Sequence, residues 1–503
     1  MPGRATTPLP VLVGGGQTID RPADPTAGRE PLALMEDAAR RAAADACGGR
    51  ALLAALDTVA VVNVISHDYG DPAGLLAERL GCPGARPIYT TVGGNTPQSL
   101  LNLLCDEITS GRCGGALIAG AEAWYTVRAR GRAGQPVGWA HRERRTPLWG
   151  DPRFGTSEHE LRHGMAQPVV TYPLHENAFR AARGLSIAAH RAELATFAAG
   201  CSAIAAANPY AWFREARDAA TLGTVTAENR MISFPYPKLM NAILDVNQGA
   251  AVILLADTEA ERLGVPRDRR VYPWAGVDVN EHWFLQDRVS YHTLPGVRRA
   301  GAALLDAVGR TIDRIEHVDL YSCFPIAPRL SAAMLGLAPD TPRPLTLTGG
   351  LPWFGGPGSN YTTHALAAVI ERLRADREGF ALTHALGWHF TKHALAIYAG
   401  APPPAGWRRA GGAELQAAVD AEPGPPLAEE ASGRGTIATY TVVHGRDGAP
   451  ERGLVIGRLD DGRRFLATVR GDRAVLEGME REEQVGRAGA VRHEDGVNRF
   501  QPA

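Results

Sequence analysis

Ile88-Tyr89-Thr90-Thr91-Val92-Gly93-Gly94-Asn95-Thr96-Pro97 joins a β-rich run to a glycine turn, and an amphipathic segment with Leu100, Leu101, Leu104 and Ile108 on one face follows. The order reads as strand, turn and helix. Thr96 suits the N-cap and Pro97 the first helical position, where a missing N–H costs nothing. Gly111 closes the helix, and Ala116-Leu117-Ile118-Ala119-Gly120 returns as a buried strand. A second stretch, from Leu345 to His389, repeats the unit. There Gly349-Gly350 and Gly355-Gly356-Pro357-Gly358 precede a helix carrying Leu366, Val369, Ile370 and Leu373, and a strand runs from Phe380 to Leu386. A glycine turn feeding a helix N-terminus leaves backbone N–H groups able to hold an anion or an oxyanion. Two such turns facing each other are the expected reaction centre.

Working outward, Val11-Leu12-Val13 reads as an opening strand ended by a turn at Gly14-Gly15-Gly16, followed by a helix over Pro31 to Ala46. The glycines lack G-x-G-x-x-G spacing, so no dinucleotide site is expected. A strand at Val59 to Ile65 and a helix at Ala73 to Leu80 lead into the first unit, and Gly249 to Ala256 is a fully apolar strand. A second half opens at Val271, with a helix from Pro295 to Arg310, a strand at Val318-Asp319-Leu320, and a helix from Ala327 to Leu335. Alternation of strands and helices predicts layered α/β structure, used twice.

Between about 125 and 248 the texture changes to polar loops and prolines around a helical middle, which reads as an inserted subdomain. It contains His159-Glu160-Leu161-Arg162-His163, a literal H-E-x-x-H. Zinc chemistry needs both histidines on one face of a stable helix and a third ligand. Gly155 and Gly164 leave room for about two turns, too little for a stable helix. A solvated polar turn, and no metal, is the expectation. After Tyr398 the composition breaks at Ala401-Pro402-Pro403-Pro404, and the tail reads as strands only: Thr436 to Val443, Gly453 to Leu459 and Arg464 to Val469, with Asp-Gly turns between them. This predicts a small OB-like β-barrel.

Composition narrows the function. A chain of 503 residues exceeds one core of ~100–200 residues. Net charge is −1, with basic and acidic residues interspersed, so no nucleic acid is called for. Lysine occurs only at Lys238 and Lys392. Six cysteines form no C-x-x-C pair, which fits a reducing cytoplasm. No window approaches the ~18 apolar residues of a membrane span, and no secretion signal stands out.

The duplicated halves, with Val11 to Thr18, Asn229-Arg230-Met231-Ile232, Phe234 to Asn241, Tyr321-Ser322-Cys323-Phe324 and Thr391-Lys392-His393-Ala394, resemble the thiolase superfamily. More narrowly, they resemble its bacterial thiolase-like proteins of type 1, which carry an additional C-terminal β domain. The resemblance spans about residues 8 to 400. It implies an α/β fold: a duplicated α-β-α-β-α core with an inserted loop subdomain, plus the OB-like barrel. The implied domains are 1–270 (loop subdomain about 125–248), 271–400, and 401–503 as linker and β domain.

The family's nucleophilic cysteine falls here at Gly94 or Asn95, and Cys105 further along the same helix reads as core. The N-E-A-F landmark reads Tyr321-Ser322-Cys323-Phe324. The histidine of G-H-P is Gly356, and the C-x-G cysteine falls near Leu386-Gly387-Trp388-His389. The usual Cys/His/Cys set is therefore absent, and thiolysis lacks its nucleophile. The resemblance implies an acyl-CoA or related thioester ligand in lipid metabolism, with no cofactor required. Gly94, Asn95, Gly356 and Tyr361 are the expected substrate-binding positions. Catalytic candidates are Tyr321 as acid/base with Tyr361 or His389 as partner in a carbon–carbon lyase, and Cys323 as a nucleophile for acyl transfer. Alternatively the chain is a scaffold whose β tail recruits a protein partner. The family's habit of dimerising implies a homodimer, or a monomer where the tail covers that surface.

Overall fold

The apolar runs pair into two sheets with the same strand order. The computed structural model describes residues 7–338, 341–469 and 473–503. In the first sheet Pro10–Ile19, Asn247–Ala256, Gly115–Ala123, Thr58–Val61, Arg86–Thr90 and Leu148–Trp149 lie side by side. The first two pairings are antiparallel and the others parallel. The second sheet repeats the scheme with Tyr272–Asn280, Lys392–Ala399, Phe380–Gly387 and His317–Leu320, paired antiparallel, antiparallel and parallel. The duplication is one of topology.

Between the sheets lie the two glycine-turn helices, Thr96–Thr109 and Tyr361–Ala375. Leu100, Leu104 and Ile108 share one core with Leu366, Ile370, Val252 and Ala396. Both helices face a sheet on either side, which is why most of their residues are buried, the polar Gln98, Asn102, Thr363 and His364 included. Helix Pro31–Asp45 covers the outer face of the first sheet through Met35, Ala38 and Ala42. Pro295–Val308 covers that of the second through Val297, Ala300 and Leu304. The result is the expected five layers, α-β-α-β-α.

Two local expectations fail. Gly14, Gly15 and Gly16 form no turn; the strand runs through them to Ile19. A Cβ at Gly14 or Gly16 would run into the carbonyl oxygen of Ala42 or Ala38, so the glycines let helix Pro31–Asp45 lie directly on the strand. The second failure is the cap. Asn95, not Thr96, occupies the N-cap position, and the Thr96 hydroxyl donates back to the Gly93 carbonyl at 2.8 Å.

The H-E-x-x-H segment is a single turn, Glu158–Arg162, closed by a capping box between Ser157 and Glu160. The solvated turn expected there is instead buried at His159, Glu160 and His163. Glu160 accepts from the Gln286 N–H at 2.7 Å, and His163 Nε2 accepts from the Asn498 N–H at 3.0 Å. Tertiary partners, invisible to local spacing, satisfy these groups. Among the described residues no three His, Cys, Asp or Glu side chains cluster to hold a metal.

The tail contains five strands, Gly433–His444, Pro450–Leu459, Arg464–Val469, Ala488–Glu494 and Val497–Pro502, that close into a barrel because the first pairs with both the second and the fourth. It is not strands only: helices Ala413–Asp420 and Arg473–Arg481 accompany it. The barrel is joined to the insertion. Val443 pairs with Ser233, and Asn177 Nδ2 donates to the carbonyls of Phe234 and Tyr440 at 3.2 and 2.9 Å. Among the described residues no helix is long and apolar enough to cross a membrane.

Candidate active site

The two glycine turns face each other, as their helix-terminal positions imply. The Gly93 N–H donates to Ser359 Oγ at 3.1 Å, and Thr362 Oγ1 donates to the Gly94 carbonyl at 3.0 Å. Thus the first turn is held by side chains from around the start of the second helix.

Tyr321 follows the strand His317–Leu320, anchored by its N–H to the His384 carbonyl at 2.9 Å. Its ring lies against Gly94. A Cβ there would stand 2.5 Å from the Tyr321 hydroxyl oxygen and 2.5 Å from the Leu386 carbonyl oxygen. The space that any side chain on Gly94 would need is therefore filled by a phenol. Tyr361 meets Tyr321 edge-on, ring centres 5.4 Å apart. Burial, with Cys323 and Tyr361 adding to it, pushes the Tyr321 phenol well above its usual 10, so it is protonated and can donate. The Tyr361 hydroxyl is engaged with Ser322 Oγ at 3.1 Å and with Thr348 Oγ1.

Other candidates are less available. Cys323 is buried beside Tyr172, and burial pushes its thiol up to about 12, which denies it the thiolate a nucleophile needs. The Gly356 N–H donates to the Ile243 carbonyl at 2.8 Å, so it is not a free oxyanion donor. His389 turns to the insertion: Nδ1 meets Thr171 Oγ1 at 2.8 Å and Nε2 meets Thr156 Oγ1 at 3.2 Å. Burial and the nearby Arg288 lower it to about 4. With both ring nitrogens occupied and the ring neutral, it lacks a free site for acid/base partnership with Tyr321.

Asn95 donates through Nδ2 to Ser99 Oγ at 3.2 Å, and its Oδ1 is buried without a partner. Beside it stands Lys392, which the sequence marked only as part of a landmark. Its rarity was the one available signal. Lys392 Nζ donates to the Val92 carbonyl at 2.8 Å, and burial lowers it to about 8.

Residues 414–496 match the family described as the thiolase-like protein type 1 additional C-terminal domain. A crystal structure of a monomeric SCP2-thiolase-like protein type 1 from Mycobacterium smegmatis is 34% identical over 99% of this chain and 100% of that one, with a TM-score of 0.86. This chain belongs to the SCP2-thiolase-like type 1 family. Against that family's fold, two more distant likenesses concern the core alone. The Ltp2-ChsH2(DUF35) aldolase is 16% identical, covering 79% of this chain and 99% of that one at a TM-score of 0.58. Human mitochondrial 3-ketoacyl-CoA thiolase in complex with CoA is 16% identical, covering 78% and 98% at 0.55. No curated protein matches the type 1 chain in sequence.

Proposed function

We propose that this type 1 protein binds an acyl-CoA or related thioester between its two glycine turns and has lost thiolytic chemistry. The observation that carries this reading is the Tyr321 hydroxyl standing against Gly94, one of the two positions where the family's nucleophile is expected. A protonated phenol there donates a hydrogen bond to a thioester carbonyl but does not attack it. A human thiolase of the same fold solved with CoA supports the ligand class. The setting is lipid metabolism in a bacterial cytoplasm, with no cofactor and no metal needed for binding. Isothermal titration of the full chain with free CoA, acetyl-CoA and longer acyl-CoA and 3-oxoacyl-CoA esters tests it. Binding without turnover is expected, and Tyr321→Phe should weaken it by roughly tenfold, the worth of one hydrogen bond. Absence of binding across the panel would remove the reading.

A second reading, carbon–carbon lyase, is favoured by one observation: Tyr321 makes no side-chain hydrogen bond to the described residues, and Tyr361 lies edge-on to it. The distant likeness to an aldolase supports it. The phenol would polarise the carbonyl of the cleaved bond, and full lyase turnover by Tyr321→Phe would dismiss that role.

A further inference from the structure

A cleft of about 290 Å³ opens beside the first glycine turn, between helix Thr96–Thr109 and strands Tyr272–Asn280 and Lys392–Ala399. We propose that this cleft is a second reactive site, in which the amine of Lys392 condenses with a short hydroxylated aldehyde or ketone.

Lys392 is 4% exposed and makes no ion pair among the described residues; the Val92 carbonyl is its one acceptor. In the neutral amine, which lines the cleft, one N–H is spent on Val92 and the other N–H and the lone pair remain open. Burial favours the neutral form, which is the nucleophile, and lowers the amine to about 8 against the opposing pull of Asp151. Beside it, Asn95 Oδ1 and Thr91 Oγ1 are buried at the cleft wall without partners. Unsatisfied polar atoms of this kind point to a missing ligand.

The remaining wall selects the ligand's chemistry. Asp106, Asp151 and Asp278 also line the cleft, none in an ion pair with Lys392, and each is engaged: Asp151 by Arg153, Asp106 by Trp407 Nε1, and Asp278 by Ser99, Asn102 and Arg409. Arg409 is already spent on Asp278 and, at 3.7 Å, Asp106. Hence no guanidinium of the lining is free to hold a phosphate or carboxylate, and the open groups, Asn95 Oδ1 and Thr91 Oγ1, suit hydroxyls. The volume sits at the lower bound of ligand pockets, ~300–1,000 Å³, which suits a few carbons and not a coenzyme. The ligand thus differs from the coenzyme thioester in size, although Asn95 belongs to both the glycine turn and this cleft.

The step balances without a further reagent. The nitrogen lone pair attacks the carbonyl carbon, a C–N bond forms, and the carbonyl oxygen leaves as water with both amine protons. The product is an imine on Lys392.

Reductive trapping tests this. The full chain is incubated at pH 8 with glyceraldehyde or dihydroxyacetone and cyanoborohydride, then mapped by peptide mass spectrometry. Lys238, exposed and the chain's other lysine, reports unspecific modification in the same sample. At least tenfold faster adduct formation at Lys392 than at Lys238 is expected, falling to the Lys238 level in Asn95→Leu. Equal labelling of the two lysines, or labelling of Lys238 alone, would overturn the proposal, and no folded variant is needed to see it.

Discussion

At Gly94 the backbone of one half of the molecule touches a side chain of the other. Any Cβ there overlaps both a phenol oxygen and the Leu386 carbonyl oxygen, and the carbonyl cannot swing away. Gly94→Ala should therefore cost about 1–3 kcal/mol, as overpacking does, measured as a lowered urea midpoint. An unchanged midpoint would mean that Tyr321 moves freely. Gly94→Cys is expected to destabilise similarly and to give no thiolysis, because Gly356 still offers no imidazole. Sequence spacing put Gly94 and Tyr321 at the expected reaction centre, each at the end of a strand or the start of a helix, and the two are neighbours in the fold. It could not orient His389. That ring is aimed by the backbone of its loop, where Trp388 and Phe390 both take positive φ, and by two threonines more than two hundred residues away.

At the scale of elements, the strand Arg86–Thr90 would be an open sheet edge but for Leu148–Trp149, which pairs with it in parallel. The Thr91 N–H also donates to the Trp149 carbonyl at 2.9 Å. An occupied edge does not recruit a second copy. Light scattering on the full chain should give the mass of one chain, 53.5 kDa. Leu148→Pro, which disrupts the capping strand, should produce self-association; a monodisperse monomer from that variant would mean the cap is irrelevant. The cap was not legible in the sequence because two residues carry no periodicity. Longer elements were legible, their apolar stripes being set by the 3.6 and 2.0 repeats of helix and strand.

For the whole molecule, the insertion and the tail are the coupled pair. Met165, Val170 and Leu174 of the insertion share a core with Leu454, Ile456 and Leu466 of the barrel. Arg180, almost fully buried, is held by Glu483 through two hydrogen bonds at 2.5 and 2.7 Å. Glu483→Ala strands that guanidinium and should cost about 3 kcal/mol, read from chemical denaturation. A chain ending at Tyr398 would expose the apolar face of helix Pro168–Ala182 and is expected to aggregate; a soluble truncated monomer would separate the two parts after all.

Acid should unfold the protein early. His159, His163 and His389 are lowered to about 4 by burial, and His175, His364 and His384 to about 3. Below 6.5 the unfolded chain gains protons that these buried rings refuse, so the stability they contribute is lost as pH falls from 6.5 towards 4. Glu122, Glu160 and Glu281, raised to about 7, and Asp319, raised to about 6, act in the opposite sense below neutrality. The histidines outnumber them and shift further. Tm should drop between pH 7.5 and pH 5; an equal or higher Tm at pH 5 would reverse the balance.

The sequence alone determined the layers, their duplication and the closed β tail, because periodicity and turn chemistry are local properties, and the loss of the thiolase side chains followed from the motifs of the family it resembles. Only the tertiary structure decided that a phenol fills the space over Gly94, that His389 serves the insertion, that H-E-x-x-H is buried, and that Lys392 lines a cleft. Each of those depends on which distant atoms satisfy or exclude a polar group, and chain spacing does not encode distance.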